Sequence, residues 1–181
     1  HNVMNALAAL AMADVYGVPL HEIKESLASF KGVQRRFSYR IKTPNFVLID
    51  DYAHHPTEIE AVENSVREMY PNKKVLVIFQ PHLFSRTRDF VEDFAKVLSK
   101  FDEIALLDIY PARELPIEGV NSSWLFGKIT NTHKKLVQKN NLVKVIKNSS
   151  AEVVVMMGAG DIGDAVNEVT NELLKYQENE V

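Results

Sequence analysis

The sequence predicts an α/β fold: a Rossmann-like, mainly parallel sheet with helices on both faces, preceded by a short helical segment. Two observations lead to this prediction. From Phe46 onward, short apolar runs alternate with amphipathic stretches of helical spacing. These runs lack the polar alternation of a half-exposed strand, which indicates strands buried on both faces of a parallel sheet. Because crossovers between parallel strands are right-handed, such a chain forms a doubly wound layer.

The opening of the chain shows helical spacing only. Residues 2–16 are rich in Ala, Leu and Met, and Gly17 stands where a helix commonly ends in a left-handed residue. Pro19 then opens a second helix over 20–30, because proline is favoured in a first helical turn. The two segments predict a helical pair.

A domain junction is expected near Gly32. We assign 1–32 to the helical tail of one domain with its linker, and 33–181 to a separate Rossmann-like domain. The chain begins at His1, without Met and already inside a stretch of helical spacing. We therefore expect it to be a piece of a longer protein.

The apolar runs predict neighbouring strands of one sheet. The predicted strands are 46–49, 74–79, 103–107, 135–137 and Val153–Met157. Ser38–Lys42 is expected to add an antiparallel edge strand beside the first of them. The predicted helices between and after the strands are Pro56–Met69, 84–101, 122–129, 141–147 and 163–176, with apolar residues recurring at helical spacing.

Composition and charge exclude several classes of protein. The 181 residues are 46% hydrophobic and 25% charged, with a net charge of −3, which disfavours disordered and coiled-coil chains. Without a basic block, a nucleic-acid platform is not expected. No apolar run approaches the roughly 18 residues of a membrane span, so no membrane association is expected. The absence of cysteine excludes disulfides and thiolate catalysis, and we expect a cytoplasmic protein.

Polar residues follow each predicted strand, where ligands bind in parallel α/β sheets. Four consecutive strand ends carry carboxylates, imidazoles or guanidiniums, in the segments 50–58, 80–89, 108–114 and 158–163. Because the carboxyl ends of parallel strands share one edge of the sheet, these side chains are expected to meet there. This edge is the candidate functional site.

Two of these segments allow a structural and a functional interpretation. Asp51, His54 and His55 could ligate zinc or iron, but adjacent side chains tend to point apart, so a bound metal is not favoured. Ser85–Arg86–Thr87–Arg88 precedes a predicted helix, whose free N–H groups favour an anion. Alternatively, Ser85 or Thr87 caps that helix while the arginines remain solvated.

The spacing Gly158-x-Gly160-x-x-Gly163 fits a dinucleotide-binding turn between strand and helix. The downstream strand and acidic residue that would complete such a site are missing from the sequence. A tight structural turn, with a polar contribution from Asp161, is the favoured interpretation. The sequence also lacks a G-x-x-x-x-G-K-[ST] loop, so another domain would have to cradle the phosphates of ATP.

Together, five blocks of residues resemble the Mur ligases of peptidoglycan synthesis. The blocks are His1-Asn2-x-x-Asn5-Ala6-x-Ala8-Ala9, Gly32-Val33-Gln34-Arg35-Arg36-Phe37, Asp50-Asp51-Tyr52-Ala53-His54-His55-Pro56-Thr57-Glu58, Gln80-Pro81-His82-x-x-Ser85-Arg86-Thr87 and Gly158-Ala159-Gly160-Asp161-Ile162. They occur in the family's order along essentially the whole chain. The second and fourth blocks favour the members that add L-alanine to UDP-N-acetylmuramate over the related murein-peptide recycling ligases, which remain the alternative.

The resemblance implies a three-domain enzyme, of which this chain is the tail of the central domain plus the C-terminal domain. In such enzymes the first domain holds the UDP-sugar and the central domain holds ATP and Mg²⁺. ATP phosphorylates the muramoyl carboxylate, and the alanine amine attacks the resulting acyl phosphate. The isolated chain is therefore expected to be inactive and to bind no cofactor tightly.

The resemblance also implies roles for individual residues. Asn2 and Asn5 would lie near the adenine, and Arg36 would reach a nucleotide phosphate. Asp51 and His54 would be catalytic, with His54 a candidate to orient the amine or accept its proton. The residues implied to hold L-alanine are Tyr52, His54, His82 and Arg86.

One departure from the family and two other hypotheses remain. Leu83-Phe84 stands where the family commonly has Arg-Tyr, so Arg86 would hold the alanine carboxylate alone or with Arg88. Without the resemblance, the chain could be a non-catalytic nucleotide-binding module. It could also be a metal-dependent hydrolase built on Asp51, His54 and His55.

Overall fold

The computed structural model describes the backbone of residues 2–178 and the side chains of residues 3–176. Its residues form two compact units, His1–Val33 and Gln34–Val181. In the part of the chain that is described, no helix is both long and apolar enough to cross a membrane.

The first unit is a pair of helices, α1 (Asn2–Val15) and α2 (Leu20–Ser29). Gly17 ends the first helix with a φ of +78°, a conformation that costs glycine little. The N–H of Gly17 bonds to the carbonyl of Asp14, and that of Val18 to the carbonyl of Ala13. This pairing is the glycine-terminated helix end that the sequence predicts, and each helix ends one residue before its predicted end.

The second unit contains a six-stranded sheet in the order β1-β2-β6-β3-β4-β5. Its strands are β1 (Ser38–Lys42), β2 (Val47–Asp51), β3 (Val75–Phe79), β4 (Glu103–Leu106), β5 (Lys134–Leu136) and β6 (Val153–Met157). All neighbouring pairs are parallel except β1 with β2, which is antiparallel. The Rossmann-like, mainly parallel sheet with an antiparallel edge strand is therefore confirmed.

The register aligns the ends of the three central strands. Asp51 of β2 and Phe79 of β3 both pair with Met157 of β6. Every residue of these three strands is buried. The loops that follow the strands consequently begin at the same level, at the carboxyl edge of the sheet.

Helices cover both faces of the sheet. They are α3 (Pro56–Met69), α4 (Phe84–Asp89), α5 (Val91–Leu98), α6 (Ser122–Lys128), α7 (Leu142–Lys147), preceded by a 3₁₀ turn at Lys139–Asn141, and α8 (Ile162–Glu178). On one face, Ile59, Phe94 and Leu125 of α3, α5 and α6 pack with alternate strand residues. On the other face, α7 and α8 pack against the remaining strand residues. The two cores follow from the alternation of side chains along each buried strand.

The prediction of one continuous helix over 84–101 is wrong. The chain breaks at Phe90, with φ −120° and ψ 23°, between α4 and α5. The Phe90 ring packs against the first core and meets the His55 ring edge-on at 4.6 Å. Hydrogen bonds continue on both sides of the break, from Phe90 to Arg86 and from Phe94 to Phe90. The apolar residues keep their helical spacing through the break, which is why the sequence predicts one helix.

We expect the substitution Leu76→Ala to destabilise the second unit by about 2–5 kcal/mol, the range for truncating a buried leucine. Leu76 is fully buried in β3 between two other strands. Urea denaturation followed by circular dichroism measures the loss. Leu115, which is 86% exposed, is the matched control, and Leu115→Ala should change stability by less than about 0.5 kcal/mol. Equal losses for the two variants would contradict the assigned core.

Candidate functional site at the carboxyl edge of the sheet

Four rings from three loops form a contiguous line, which we call the histidine row: Tyr52, His54, His82 and Tyr110. The rings of Tyr52 and His54 are 5.4 Å apart, and those of His54 and His82 are 5.8 Å apart. The His82 ring stacks on that of Tyr110 at 5.7 Å with an interplanar angle of 21°. Arg86 adjoins the row, with its Nη1 atom 3.3 Å from His82 Nδ1. The four residues implied to hold L-alanine therefore lie together.

Local hydrogen bonds fix the tautomer of His54. Its Nδ1 atom lies 2.9 Å from the carbonyl oxygen of Tyr52 and 3.2 Å from Oε2 of Glu58. Both partners are acceptors, so Nδ1 carries a proton. Glu58 also accepts the backbone N–H groups of His54 and His55 at the start of α3. The loop that carries His54 is thereby tied to the helix behind it.

His82 is held in its neutral form beside Arg86. The guanidinium can only donate, so His82 Nδ1 accepts and Nε2 carries the proton. Burial lowers the pKa of His82 below its usual value, and the charges of Arg86 and His54 lower it further. A second positive charge next to Arg86 is thus disfavoured. Arg86 remains the cation of this group, and His82 supplies an N–H donor.

The N-terminus of α4 is occupied by a carboxylate of the protein itself. Glu114 accepts the N–H of Ser85 at 2.9 Å and also bonds to the Ser85 hydroxyl. These contacts lower the pKa of Glu114. Leu83, with φ +74°, is the N-cap residue and provides no side-chain cap, while Thr87 bonds back to the Leu83 carbonyl. Capping by Ser85 or Thr87 is therefore wrong, because Glu114 from a distant loop takes that place.

Arg88 is separated from this group by its own partner. Its Nε and Nη2 atoms each lie 2.8 Å from Oδ1 of the neighbouring Asp89, and its side chain is 52% exposed. Leu83 brings no charge to the site. Arg88 is therefore paired with its neighbour, whereas Arg86 contacts His82.

Asp51 clamps the loop that carries Arg36. Its Oδ2 atom accepts the N–H of Phe37 and its Oδ1 atom that of Ala53, both at 2.7 Å. The carboxylate is 3% exposed, and burial raises its pKa despite the two donors. Arg35 and Phe37 have φ values of +58° and +50°, which are strained for residues with a side chain. Between them, Arg36 is held exposed.

Arg35 joins several parts of this edge of the sheet. It donates through Nε to Asp50 at 3.2 Å and through Nη2 to the carbonyl oxygen of Gly158 at 2.5 Å. Its guanidinium also lies 5.0 Å from the centre of the Tyr52 ring. Burial raises the pKa of Asp50, and the charge of Arg35 opposes that shift. Arg35 therefore braces Tyr52 and the loop after β6 at once.

The protein's own atoms fill the glycine turn. A Cβ on Gly158 would lie 2.8 Å from the Gln80 carbonyl oxygen, and one on Gly160 would lie 2.6 Å from Cγ of Tyr110. A Cβ on Gly163 would lie 2.6 Å from the guanidinium of Arg35. The close approach that a dinucleotide would exploit is used within the chain. This packing favours the structural interpretation of the turn.

Asp161 anchors the same turn from within. Its Oδ1 atom accepts from the Gln80 amide at 2.8 Å, and its Oδ2 atom pairs with Lys139. The other end of the Gln80 amide, Oε1, accepts the N–H of Ile162 at 3.0 Å. The polar contribution expected of Asp161 is therefore to tie α8 to the loops after β3 and β5.

A cleft of about 420 Å³ lies beside the histidine row. It is lined by Gln80, Leu107, Asp108, Ile109, Tyr110, Pro111, Val137, Gln138, Lys139 and Asp161. Tyr110 alone belongs to both the cleft and the row. The cleft follows β3, β4 and β5, whereas the row begins at β2.

The remaining sequence candidates are placed as follows. Asn5 is exposed on α1 of the first unit, and the Asn2 side chain lies outside the described residues. Residues 3–176 contain no group of three carboxylate or imidazole side chains arranged to hold a metal. His54 faces His82, whereas His55 caps α3 and meets Phe90. The metal-hydrolase hypothesis therefore gains no support.

Sequence reasoning did not single out Arg35, Tyr110 or Glu114 as site residues. Arg35 lies 123 positions from Gly158, and Glu114 lies 29 positions from Ser85. Such pairings depend on strand order, which no local pattern encodes. The available signal for Tyr110 and Glu114 was their position in the polar segment after β4.

We expect Asp51→Asn to destabilise the second unit by about 1–3 kcal/mol. One carboxylate oxygen would become an NH₂ group facing a backbone N–H of Phe37 or Ala53, leaving that buried donor unpaired. Relief of the buried charge offsets part of the loss. Urea denaturation measures the change, and hydrogen exchange at Phe37 reports whether its loop loosens. Unchanged stability and exchange would show that the clamp is dispensable.

We expect His82 to titrate below the 6.5 of a free imidazole, because burial and Arg86 disfavour its charged form. In Arg86→Ala the pKa of His82 should rise part of the way back, since burial remains. Two-dimensional NMR of the imidazole ring follows both titrations. Arg88→Ala is the matched control and should leave the value unchanged. A His82 pKa insensitive to Arg86→Ala would contradict the contact.

Comparison with known proteins identifies the class of protein that this fold and site define. Residues 35–160 match the family described as Mur ligase, glutamate ligase domain. The match covers well over half of the chain. The chain therefore belongs to the Mur ligase family, as the sequence blocks predict.

Two similar proteins within the family carry the name of an alanine ligase. A protein from Christiangramia forsetii, named UDP-N-acetylmuramate–L-alanine ligase, is 67% identical over 174 residues, which are 96% of this chain and 38% of that protein. The crystal structure of the UDP-N-acetylmuramate-alanine ligase from Thermotoga maritima superposes with a TM-score of 0.76 at 33% identity, covering 99% of this chain and 38% of that one.

A murein peptide ligase from Psychrobacter arcticus shares the fold. Its crystal structure has a TM-score of 0.65 at 22% identity, covering 94% of this chain and 36% of that one. The chain spans about 38% of the length of the curated relatives that it matches.

Proposed function

We propose that this chain is the amino-acid-binding part of an ATP-dependent ligase that joins L-alanine to UDP-N-acetylmuramate. The observation that carries the proposal is the meeting of Tyr52, His54, His82 and Arg86 at one edge of the sheet. Relatives at 65% and 67% identity carry the name of that ligase. Residues 1–32 then belong to the central ATP-binding domain, and 33–181 form the C-terminal ligase domain.

The described side chains suit a small amino acid. Arg86 presents a planar fork of donors that matches a carboxylate better than a lysine does. The Nε2–H of His82 adds a donor beside it. Because Nδ1 of His54 faces the Tyr52 carbonyl, Nε2 is the ring atom left to accept a proton from the attacking amine. Cation, donor and acceptor therefore correspond to the two ends of L-alanine.

Orientation is the main contribution of this arrangement to the reaction. An amine held by fixed groups attacks as in an intramolecular reaction, which avoids much of the entropy cost of bringing two reactants together. His54 is held by Glu58 and the Tyr52 carbonyl, and Arg86 by an α4 whose start is pinned by Glu114. Asp51, with both oxygens engaged by backbone groups, acts as a positioning residue in this proposal.

In this proposal, fewer residues of this chain contact the nucleotide than contact the amino acid. ATP, when bound, supplies the phosphoryl group that activates the muramoyl carboxylate. Arg36 is exposed and its backbone is fixed, which fits contact with a phosphate. The glycine turn does not fit one, because Gln80, Tyr110 and Arg35 fill it. In this proposal the central domain of the full-length enzyme holds Mg²⁺.

The partners in this proposal are L-alanine, ATP and UDP-N-acetylmuramate, with no role for nucleic acid or membrane. A ligase that consumes ATP and a nucleotide sugar would act in the cytoplasm. The isolated chain would be inactive, since the site for the UDP-sugar and the phosphate-cradling loop would lie in the remaining domains.

In the full-length parent, Arg86→Ala should raise the KM for L-alanine strongly and the KM for ATP little. The expected loss is about 2–4 kcal/mol, because a carboxylate would lose its charged partner. Arg86→Lys should recover only part of it, since a point charge lacks the planar fork. Steady-state phosphate release at varied alanine and ATP measures both constants.

Two further variants sharpen this test. Arg88→Ala is the matched control, because Arg88 is paired with Asp89, and both KM values should stay near those of the wild type. Arg36→Ala should raise the KM for ATP instead. An equal rise in the KM for L-alanine and for ATP in Arg86→Ala would place Arg86 at the nucleotide. Unchanged KM values for both would show that Arg86 is a solvated residue that binds neither substrate.

A further inference from the structure

We propose that Tyr110 is a specificity-determining residue, whose ring closes the histidine row against the neighbouring cleft and so restricts the amino-acid substrate to a small side chain. The proposal rests on the function proposed above. Tyr110 belongs to both features: its ring stacks on His82, and its atoms line the cleft of about 420 Å³. A side chain longer than a methyl group, extending from the row toward that cleft, would meet this ring first.

The backbone of Tyr110 is held against the loop after β3. Its N–H donates to the Pro81 carbonyl at 2.8 Å, and its own carbonyl accepts the N–H of Leu83 at 2.9 Å. These two bonds flank His82 and form a parallel bridge between His82 and Tyr110. The residue that stacks on His82 is thus tied to the segment that carries His82. The ring cannot leave the row by a simple shift of its loop.

Gly160 supports the base of the Tyr110 side chain from another direction. A Cβ at Gly160 would lie 2.6 Å from Cγ and 2.7 Å from Cβ of Tyr110. Only a residue without a side chain leaves room for the ring at this place. Gly160 is itself held in the turn that Asp161 and Gln80 anchor. Backbone on one side and His82 on the other therefore confine the ring.

The space beyond the ring is suited to a larger side chain. Ile109, Pro111 and Val137 give the cleft apolar lining, while Asp108 and Gln138 give it polar lining. Lys139, which also lines it, is paired with Asp161. The cleft therefore has apolar surface for an aliphatic chain next to a site that holds an amino-acid backbone. The Tyr110 ring is the barrier between the two.

The test measures the preference of the full-length parent among L-alanine, L-2-aminobutyrate, L-valine and L-leucine. In Tyr110→Ala, kcat/KM for L-leucine divided by that for L-alanine should rise at least tenfold over the wild type. Tyr110→Phe keeps the ring and should retain the wild-type ratio. Gln138→Ala, which widens the cleft at an exposed residue and spares the ring, is the control and should also retain it.

Tyr110→Leu is a second test, because it replaces the ring by a shorter side chain and keeps an apolar group beside Gly160. An intermediate rise in the ratio is expected, and thermal unfolding verifies that each variant is folded. A ratio that stays at the wild-type value in folded Tyr110→Ala and Tyr110→Leu overturns the proposal. The wild-type enzyme, measured with the same four amino acids, tests the proposed function separately. If it prefers an amino acid other than L-alanine, alanine is refuted as the substrate. The change in size preference on removing the ring still decides the role of Tyr110.

Discussion

The guanidinium of Arg35 is the contact on which the arrangement at the carboxyl edge depends. It bonds to Asp50 at the end of β2 and to the carbonyl of Gly158 after β6, and it lies over the Tyr52 ring. Charge-assisted bonds of this kind are shorter and stronger than neutral ones, and here they are partly shielded from solvent. Removing the guanidinium would leave a buried carboxylate, a glycine turn and an aromatic ring without their common partner. Arg35 therefore supports the site through contacts within the protein.

The guanidinium of Arg86 adjoins the histidine row. His82 lies between Arg86 and His54, and burial together with these neighbours keeps it neutral. Glu114, the nearest acid to the start of α4, is already engaged by Ser85. The charge of Arg86 also helps to lower the pKa of that carboxyl. The two imidazoles are oriented differently: Nδ1 of His82 accepts from Arg86, whereas Nδ1 of His54 donates to the Tyr52 carbonyl.

The fold could be predicted largely from the sequence, because buried parallel strands leave an unbroken apolar signature. Val153–Met157 and Pro56–Met69 have the predicted bounds. The break at Phe90 could not be predicted, since the apolar spacing of the sequence continues through it, while the Phe90 ring packs against the first core and the ring of the distant His55. Local periodicity reports which face of an element is apolar. It does not report which distant ring that face will meet.

The candidate site also has features that the sequence predicts and features that it does not. The sequence was sufficient to predict four site residues, because each follows a strand and matches a block of the family: Tyr52, His54, His82 and Arg86. The contact of Glu114 with the start of α4, in place of a Ser85 or Thr87 cap, could not be predicted, because Glu114 comes from the loop after another strand. The glycine spacing gave the turn correctly, but not the fact that Tyr110 and Arg35 fill it. Long-range pairing is set by topology, and topology is a property of the whole chain.

The loop at Arg36 has a consequence for the thermodynamics of any ligand that reaches it. Arg35 and Phe37 sit in the left-handed region, each at a cost of about 1–3 kcal/mol that is met when the protein folds. Asp51 and the end of β2 hold that conformation before any ligand arrives. The backbone of Arg36 then has little freedom left to lose, so an anion that binds the guanidinium would order only the side chain. The remaining entropy cost of binding is therefore that of one exposed arginine side chain, about 0.5–1.5 kcal/mol.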